Sequence, residues 1–270
     1  MTTQQDSAAY LEKKRLFSRL FTVYGRKPVL EILKDKRIDC FRLHLAQSNK
    51  QSNAIMRDII TLAQQRHIET LYHERQALSR ISKNSQQDQG VCIDIHCPAH
   101  QQASDFLEQY KTSIEQHKSS PQQPLRLLAL DRVTNPQNMG MIIRSACAGA
   151  INGIVIPEKG CAKLDAMVIK ASTGTLFKAP LLRCKQLQPT LAMYQQAGIK
   201  IAGLSSHAPQ TINEFQEPDH ILYVLGNETT GVSQAIEDQC DVTIAIPMNN
   251  GVESLNVAVT ASLLAFKPLL

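Results

Sequence analysis

A chain of 270 residues, 43% hydrophobic and 5% aromatic with no Trp, has an ordinary globular composition and room for two domains. No stretch approaches the roughly 20 apolar residues of a membrane helix. The N-terminus lacks an apolar signal core and carries Asp6 and Glu12, so the expected location is the cytoplasm, with no membrane partner.

In chain order, residues 1–20 are expected to form a helical extension, with Ser7 as its cap and Tyr10, Phe17 and Leu20 on one face. Residues 21–98 alternate between helix and strand. A helix follows Pro28, a strand covers Phe41–Leu45, a helix carries Ile55, Ile59, Leu62 and Ala63, and a strand covers Val91–Ile95. This predicts a small α/β domain. Residues 99–123 are polar and Gln-rich and end in Ser119-Ser120-Pro121; Phe106, Tyr110 and Ile114 permit a short helix, but the stretch reads as a linker. From residue 124, strands are expected at 127–130, 154–156, 199–204, 221–225 and 242–246, with helical patterns between them. That repetition predicts a mostly parallel sheet in a second domain, residues 124–270. The last helix, Val257–Phe266, is apolar almost all round and must be buried in the core or at a subunit contact.

The charge is uneven along the chain. Residues 1–123 hold 18 Lys+Arg against 13 Asp+Glu, whereas residues 124–270 hold 11 against 11, so the net +5 lies in the N-terminal part. Lys13, Lys14, Arg15, Arg19, Arg26, Lys27, Lys34, Lys36, Arg37 and Arg42 could contact nucleic-acid phosphates, or simply form a solvated surface. The seven cysteines, at 40, 92, 97, 147, 161, 184 and 240, form no C-x-x-C pair; free thiols are expected, and no metal site. The chain has no G-x-S-x-G elbow, no phosphate loop ending in G-K-[ST] and no G-x-G-x-x-G after a strand. His207 and His220, in the C-terminal half, join no motif.

Three segments share one plan: strand, polar glycine-bearing loop, helix start. Leu127–Leu130 runs into Asp131 to Gly140 and a helix with Arg144. Ile221–Leu225 runs into Gly226-Asn227-Glu228, and Val242–Ile246 into Pro247 to Gly251 and then Ser254-Leu255-Asn256. In an open α/β sheet, ligands sit at the carboxyl ends of neighbouring strands. Asn138 can both donate and accept hydrogen bonds, with helix capping as its plainer use. Glu228 could pair with Arg144 or with Asn138, and Ser254 and Asn256 stand where caps stand. Gly226 either lets the chain approach a ligand closely or makes a turn.

These blocks resemble the motifs of the SpoU/TrmH family of knotted, SPOUT-type RNA ribose methyltransferases. Asn138, Gly140 and Arg144 match N-x-G-x-x-x-R, Lys170 to Gly174 matches K-x-S-x-G, and the two later loops match motifs two and three. The resemblance implies a C-terminal parallel-sheet domain with a trefoil knot, preceded by a small α/β RNA-binding domain that opens at Val23-Tyr24-Gly25. That module often ends in a His-Gln-Gly turn, where this chain has Asp88-Gln89-Gly90, and the family's N-V-S is here Asn256-Val257-Ala258. Implied further are S-adenosylmethionine as cofactor, RNA as substrate (ribosomal favoured, transfer possible) and a homodimer. The implied catalytic residues are Arg144, Asn138, Glu228, Ser254 and Asn256. Those placed on the cofactor are Leu204, Ser205, Leu225, Gly226, Asn227, Ile246, Met248 and Leu255. A guanidinium with a pKa above about 12 is a poor base; Arg144 fits better as a phosphate anchor that stabilises the developing alkoxide. The rival reading is a non-catalytic RNA-binding protein with the same fold.

Overall fold

The structure, a computed structural model, describes residues 19–50, 54–97, 99–116 and 124–270. Most of the expected N-terminal helix lies outside these residues, and Leu20, its expected last member, already belongs to a strand. The described chain forms two units, divided at Pro98 and Ala99.

The first unit is a four-stranded sheet in the order β1-β4-β2-β3, built from β1 (Leu20–Tyr24), β2 (Cys40–Ala46), β3 (Glu69–His73) and β4 (Val91–His96). The β2–β3 pair is parallel and the others antiparallel. Phe21 and Val23 of β1 are buried in alternation, the strand period of two, whereas β2, inside the sheet, buries Leu43 to Ala46 without a break. Helices α1 (Arg26–Lys34) and α2 (Ala54–Gln65) bury Val29, Ile32, Leu33, Met56, Ile59 and Ala63. Arg66 collects the carbonyls at the end of α1, donating to those of Ile32 (3.2 Å), Leu33 (3.0 Å) and Ile38 (2.5 Å), a cationic C-terminal cap. A third helix, α3 (Arg75–Ser82), packs near Ala46 and Cys92 through Leu78. The Asp88-Gln89-Gly90 departure has a structural use: Asp88 is fully buried and accepts from Arg75 (2.5 Å), Ser82 Oγ (2.8 Å) and the Gly90 amide (2.9 Å).

The second unit holds an eight-stranded sheet in the order β10-β12-β9-β11-β6-β7-β8-β5, with every pairing parallel. Its strands are β5 (Gln101–Gln102), β6 (Leu125–Leu130), β7 (Gly153–Pro157), β8 (Leu181–Cys184), β9 (Lys200–Leu204), β10 (Gln210–Thr211), β11 (His220–Leu225) and β12 (Val242–Ala245). Six of six β6 residues and five of six β11 residues are buried, as befits strands covered on both faces.

The stretch expected as a linker belongs, as far as residue 116, to this second unit. Gln101 and Gln102 pair with β8, and α4 (Ala103–Gln116) sends Ala103 and Leu107 into the core, with Phe106 and Tyr110 beside them. The carbonyl of Ala103 accepts from Tyr194 Oη at 3.0 Å. Gln101 and Gln102 sit in β5 and Gln109 is exposed on the helix; residues 117–123 lie outside the described residues.

Helices α5 (Pro136–Ala148) and α9 (Val257–Phe266), with α7 (Leu187–Gln196) and α8 (Gln234–Glu237) between them in the chain, pack together through Ser145 and Ser262, whose hydroxyls lie 2.7 Å apart, and through Gly149, where a Cβ would stand 2.5 Å from the Ala265 carbonyl oxygen. Arg126, buried on β6, forms an ion pair with Glu217 and donates to the Leu264 carbonyl at 2.7 Å, tying the end of α9 to the sheet. Helix α9, apolar but for Thr260 and Ser262, is therefore mostly buried, yet Val259 (42%) and Leu263 (43%) stay exposed.

Candidate active site

Because the sheet is parallel, the loops after β6, β9, β11 and β12 emerge on one edge, and these four strands are adjacent. The three motif loops are therefore neighbours in space. The β6 loop turns into α5 through Asn135, whose side chain accepts from the amides of Gln137 (2.8 Å) and Asn138 (3.3 Å), with Pro136 at the first helical position. The cap is thus Asn135, and the capping reading of Asn138 is corrected. Asn138 lies inside the first turn and is buried, with its amide free to bond elsewhere. Gly140 follows because a Cβ there would come within 2.4 Å of Ala171 Cβ and 2.8 Å of the Ser172 nitrogen. That contact explains the K-x-S-x-G element: Ser172, fully buried at the end of α6 (Ala166–Ala171), is where that short helix meets α5.

Three of the expected residues meet. Asn138 Nδ2 donates to Glu228 Oε1 at 2.8 Å, and Asn256 Nδ2 donates to Asn138 Oδ1 at 3.0 Å. Asn256 also caps α9, its Oδ1 accepting from the Ala258 amide at 2.8 Å. The cap decides the direction of the whole chain. Since Asn256 Oδ1 must accept from a backbone N–H, its NH₂ must donate to Asn138, and Asn138 must in turn donate to the carboxylate. Of the two partners open to Glu228, the structure selects Asn138.

Arg144 and Ser254 do not join this network. Six residues separate Asn138 from Arg144, so a helix turns them to different sides, and Arg144 is exposed on the face that also carries Met141. Ser254 is exposed in the loop before α9.

The loop at Glu228 is held from several directions. The backbones of Asn227 and Gly231 bond each other twice at 2.9 Å, and Asn227 Oδ1 accepts from the Thr229 amide at 2.9 Å. Asn227 Nδ2 donates to the Arg132 carbonyl at 2.9 Å, and buried Asp131 accepts from the Ser233 amide at 2.7 Å. Arg132 has φ +57° and donates to the Gly231 carbonyl at 3.1 Å. Of these, Asp131, Arg132 and Ser233 were not singled out as site residues from sequence, although Asp131 and Arg132 open the first motif loop. At Gly226 a Cβ would stand 2.1 Å from Gly231 C and Val232 N, so the turn requires glycine there. The glycine is required by its own loop folding back on it.

Around this network lie the other expected residues. Leu225 is buried; Leu204, Ser205, Gly226, Asn227, Ile246 and Met248 are half-buried; and Leu255 is exposed, as is Val252 at 52%. No group of three metal-ligating side chains occurs among the described residues. The thiols of Cys92, Cys161 and Cys240 are pushed up by burial, to about 12, 11 and 12, so they stay protonated at neutral pH.

Two family profiles cover the two units. The SpoU rRNA methylase family matches residues 126–266, and the substrate-binding domain of RNA 2′-O ribose methyltransferases matches residues 22–100. The chain belongs to the SpoU rRNA methylase family. It is 31% identical over 239 residues to an uncharacterized tRNA/rRNA methyltransferase of Mycolicibacterium smegmatis, covering 88% of this chain and 73% of that one. It is also 31% identical to a Bacillus subtilis protein named for the TrmH family of tRNA/rRNA methyltransferases, over 91% and 93% of the two chains. Among solved structures, the SpoU methyltransferase AviRb from Streptomyces viridochromogenes, in complex with AdoMet, shares the fold with a TM-score of 0.57, 23% identity and 94% and 90% coverage. An AdoMet-bound rRNA methyltransferase from Sinorhizobium meliloti gives 0.58, 20%, 96% and 91%. This SpoU-family chain is thus an RNA methyltransferase by family, and the loops carrying Asn138, Glu228 and Asn256 all lie inside the matched methylase segment.

Proposed function

We propose that this chain transfers the methyl group of S-adenosylmethionine to a ribose 2′-hydroxyl of structured RNA, ribosomal RNA ahead of transfer RNA. The observation that carries the proposal is the convergence of Asn138, Glu228 and Asn256 where the β6, β11 and β12 loops meet.

The loops fit a nucleoside cofactor. The backbone around Leu225-Gly226-Asn227, Leu204-Ser205 and Ile246 to Met248 offers amides and carbonyls, and Val252 and Leu255 expose apolar side chains in an otherwise polar segment. Bound there, the cofactor supplies an electrophilic methyl group. The protein must present the hydroxyl in line with it and handle the hydroxyl's proton. Asn138 holds one carboxylate oxygen of Glu228, leaving Oε2 to accept from and orient the ribose hydroxyl. Arg144 anchors the neighbouring phosphate bidentately and stabilises the alkoxide as it develops. The proton leaves to a phosphate oxygen or to water, since a guanidinium cannot take it. Ser254, in the loop before α9, adds a hydroxyl near the substrate.

The active form is a homodimer. Exposed Met141 (46%), with Arg144 beside it on α5, and exposed Val259 and Leu263 on α9 leave apolar side chains uncovered on two helices that touch. Pairing across them would bring Arg144 toward the partner's loops. The extra N-terminal unit, matched to an RNA substrate-binding profile and richer in Lys and Arg, favours a large structured RNA.

The test is methyl transfer from labelled cofactor to ribosomal and transfer RNA taken from cells lacking this protein. Label in ribosomal RNA supports the proposal as stated. Label in transfer RNA alone corrects the substrate, and cofactor binding without transfer to either would favour a non-catalytic RNA-binding protein.

A further inference from the structure

Three strands of the first unit carry a chain of titratable side chains that methyl transfer does not use. Asp94 on β4 accepts from Thr22 Oγ1 at 2.6 Å and lies 3.0 Å from Nε2 of His44 on β2. Nδ1 of His44 lies 2.9 Å from Nε2 of His73 on the edge strand β3. Asp94 and His44 are buried, at 9% and 4% exposure, whereas His73 is half-buried. The relay therefore runs from the interior to the sheet edge, and its last atom, Nδ1 of His73, has no partner among the described residues. An apolar pair would join these strands without desolvating a carboxylate and two imidazoles.

The hydrogen-bond directions make that outer atom switchable. Burial alone would raise the Asp94 carboxyl, but the bonds from His44 and Thr22 and the charges of His44 and Arg42 hold it below the usual range. An ionised Asp94 requires the hydrogen on Nε2 of His44. While His44 is neutral its Nδ1 accepts, so His73 carries its hydrogen on Nε2 and shows a bare lone pair at Nδ1. A proton from solvent binds that lone pair, and the Nε2 hydrogen of His73 passes to Nδ1 of His44. The proton taken up is held within the relay, and Nδ1 of His73 ends as an N–H facing outward. The positive charge is disfavoured on His73 itself, where burial, His44 and Arg42 all lower the pKa.

We propose that Nδ1 of His73 is an RNA phosphate contact on the edge of the substrate-binding unit, switched from acceptor to donor when the Asp94–His44–His73 relay takes up one proton. This rests on the reading of the chain as an RNA-modifying enzyme. RNA is the occupant because residues 22–100 match an RNA substrate-binding profile and residues 19–98 hold 13 Lys+Arg against 8 Asp+Glu. Two neighbouring cations are paired, and the nearby thiol is uncharged. Arg42 meets Glu69 at 2.7 Å, Arg75 of α3 meets Asp88, and the Cys92 thiol is pushed up to about 12 by burial and stays neutral.

The test measures affinity of the full-length protein for bulk ribosomal RNA and for transfer RNA at about pH 6 and about pH 8, with methyl transfer run on the same samples. Wild type should bind about three- to tenfold tighter at the lower pH, the scale of one gained hydrogen bond. His73→Ala should lose that gain and match wild type at the higher pH. His73→Asn, whose amide nitrogen overlays Nδ1, should bind alike at both. Melting temperature and cofactor calorimetry report whether each variant is folded. Equal pH dependence in wild type and folded His73→Ala overturns the relay contact, while methyl transfer in the same tubes would leave the proposed function standing. Absence of both binding and transfer on either RNA would remove the two together.

Discussion

Asn256 donates its side-chain amide to Oδ1 of Asn138 at 3.0 Å, across 118 residues of sequence, while its own Oδ1 caps α9. One side chain thus starts the C-terminal helix and orients the amide that holds Glu228. Helix capping and site assembly share a residue, and substitution can separate them. Asn256→Asp keeps an oxygen for the Ala258 amide but sets an acceptor against Asn138 Oδ1. Its melting temperature should stay near wild type while turnover falls. Asn256→Ala should lose both, with a stability cost of about 1 kcal/mol. Comparable turnover in Asn256→Asp and wild type would show that the Asn138 bond is dispensable.

Gly226 and Gly231 make a paired test of the Glu228 loop. A methyl group at Gly226 meets backbone at 2.1 Å, whereas one at Gly231 meets nothing within 4 Å and faces only the strain of φ +66°. Gly226→Ala should unfold the loop locally and abolish cofactor binding. Gly231→Ala should cost about 1 kcal/mol and leave binding measurable. Calorimetry with S-adenosylmethionine decides; equal affinities in the two variants would contradict the geometry.

A buried histidine gives the second unit an acid-sensitive stability. Burial, aided by the charge of Arg183 and opposed by the bond to the Leu176 carbonyl, brings His100 down from 6.5 to about 4. Between those values the unfolded chain takes up a proton that the folded chain refuses, so the contribution is whole above 6.5 and shrinks as pH falls toward 4. The slope reaches about 1.4 kcal/mol per pH unit. His100→Gln, whose amide nitrogen can still reach Leu176, should flatten the acid limb of the melting-temperature curve. Superimposable curves would refute the assignment.

How much of this was legible in advance depended on where the deciding partner lay. Leu127–Leu130 and Ile221–Leu225 are unbroken apolar runs that mark β6 and β11 in the sequence, along with the loops that follow. Strands β3, at a sheet edge, and β8 carry no such signal: Glu69-Thr70-Leu71-Tyr72-His73 is half polar, and Leu181–Cys184 is too short to show a period. Helix α4 passed for a linker because Ala103, Phe106, Leu107 and Tyr110 are few among polar neighbours, and the core they enter lies far along the chain. The choice of Asn138 over Arg144 as the partner of Glu228 follows from the turn of one helix, which spacing implies only once its start at Pro136 is known. Asp131 and Arg132 escaped notice because pinning a loop a hundred residues away leaves no local signature.

Arg144 should matter for turnover and little for stability, being exposed and outside the Asn138 network. Arg144→Ala should lower the single-turnover methylation rate by roughly 10²–10³ at saturating RNA. Arg144→Lys, keeping the charge without the planar fork, should fall between. Cofactor affinity should be unchanged in both. A near-wild-type rate in Arg144→Ala would remove this side chain from the mechanism.

The central claim concerns the atom that receives the methyl group. Ribosomal RNA labelled by the purified protein and S-adenosylmethionine, digested to nucleosides and resolved by mass spectrometry, should carry the label on a ribose, as a 2′-O-methylnucleoside. Label on a base would contradict the account.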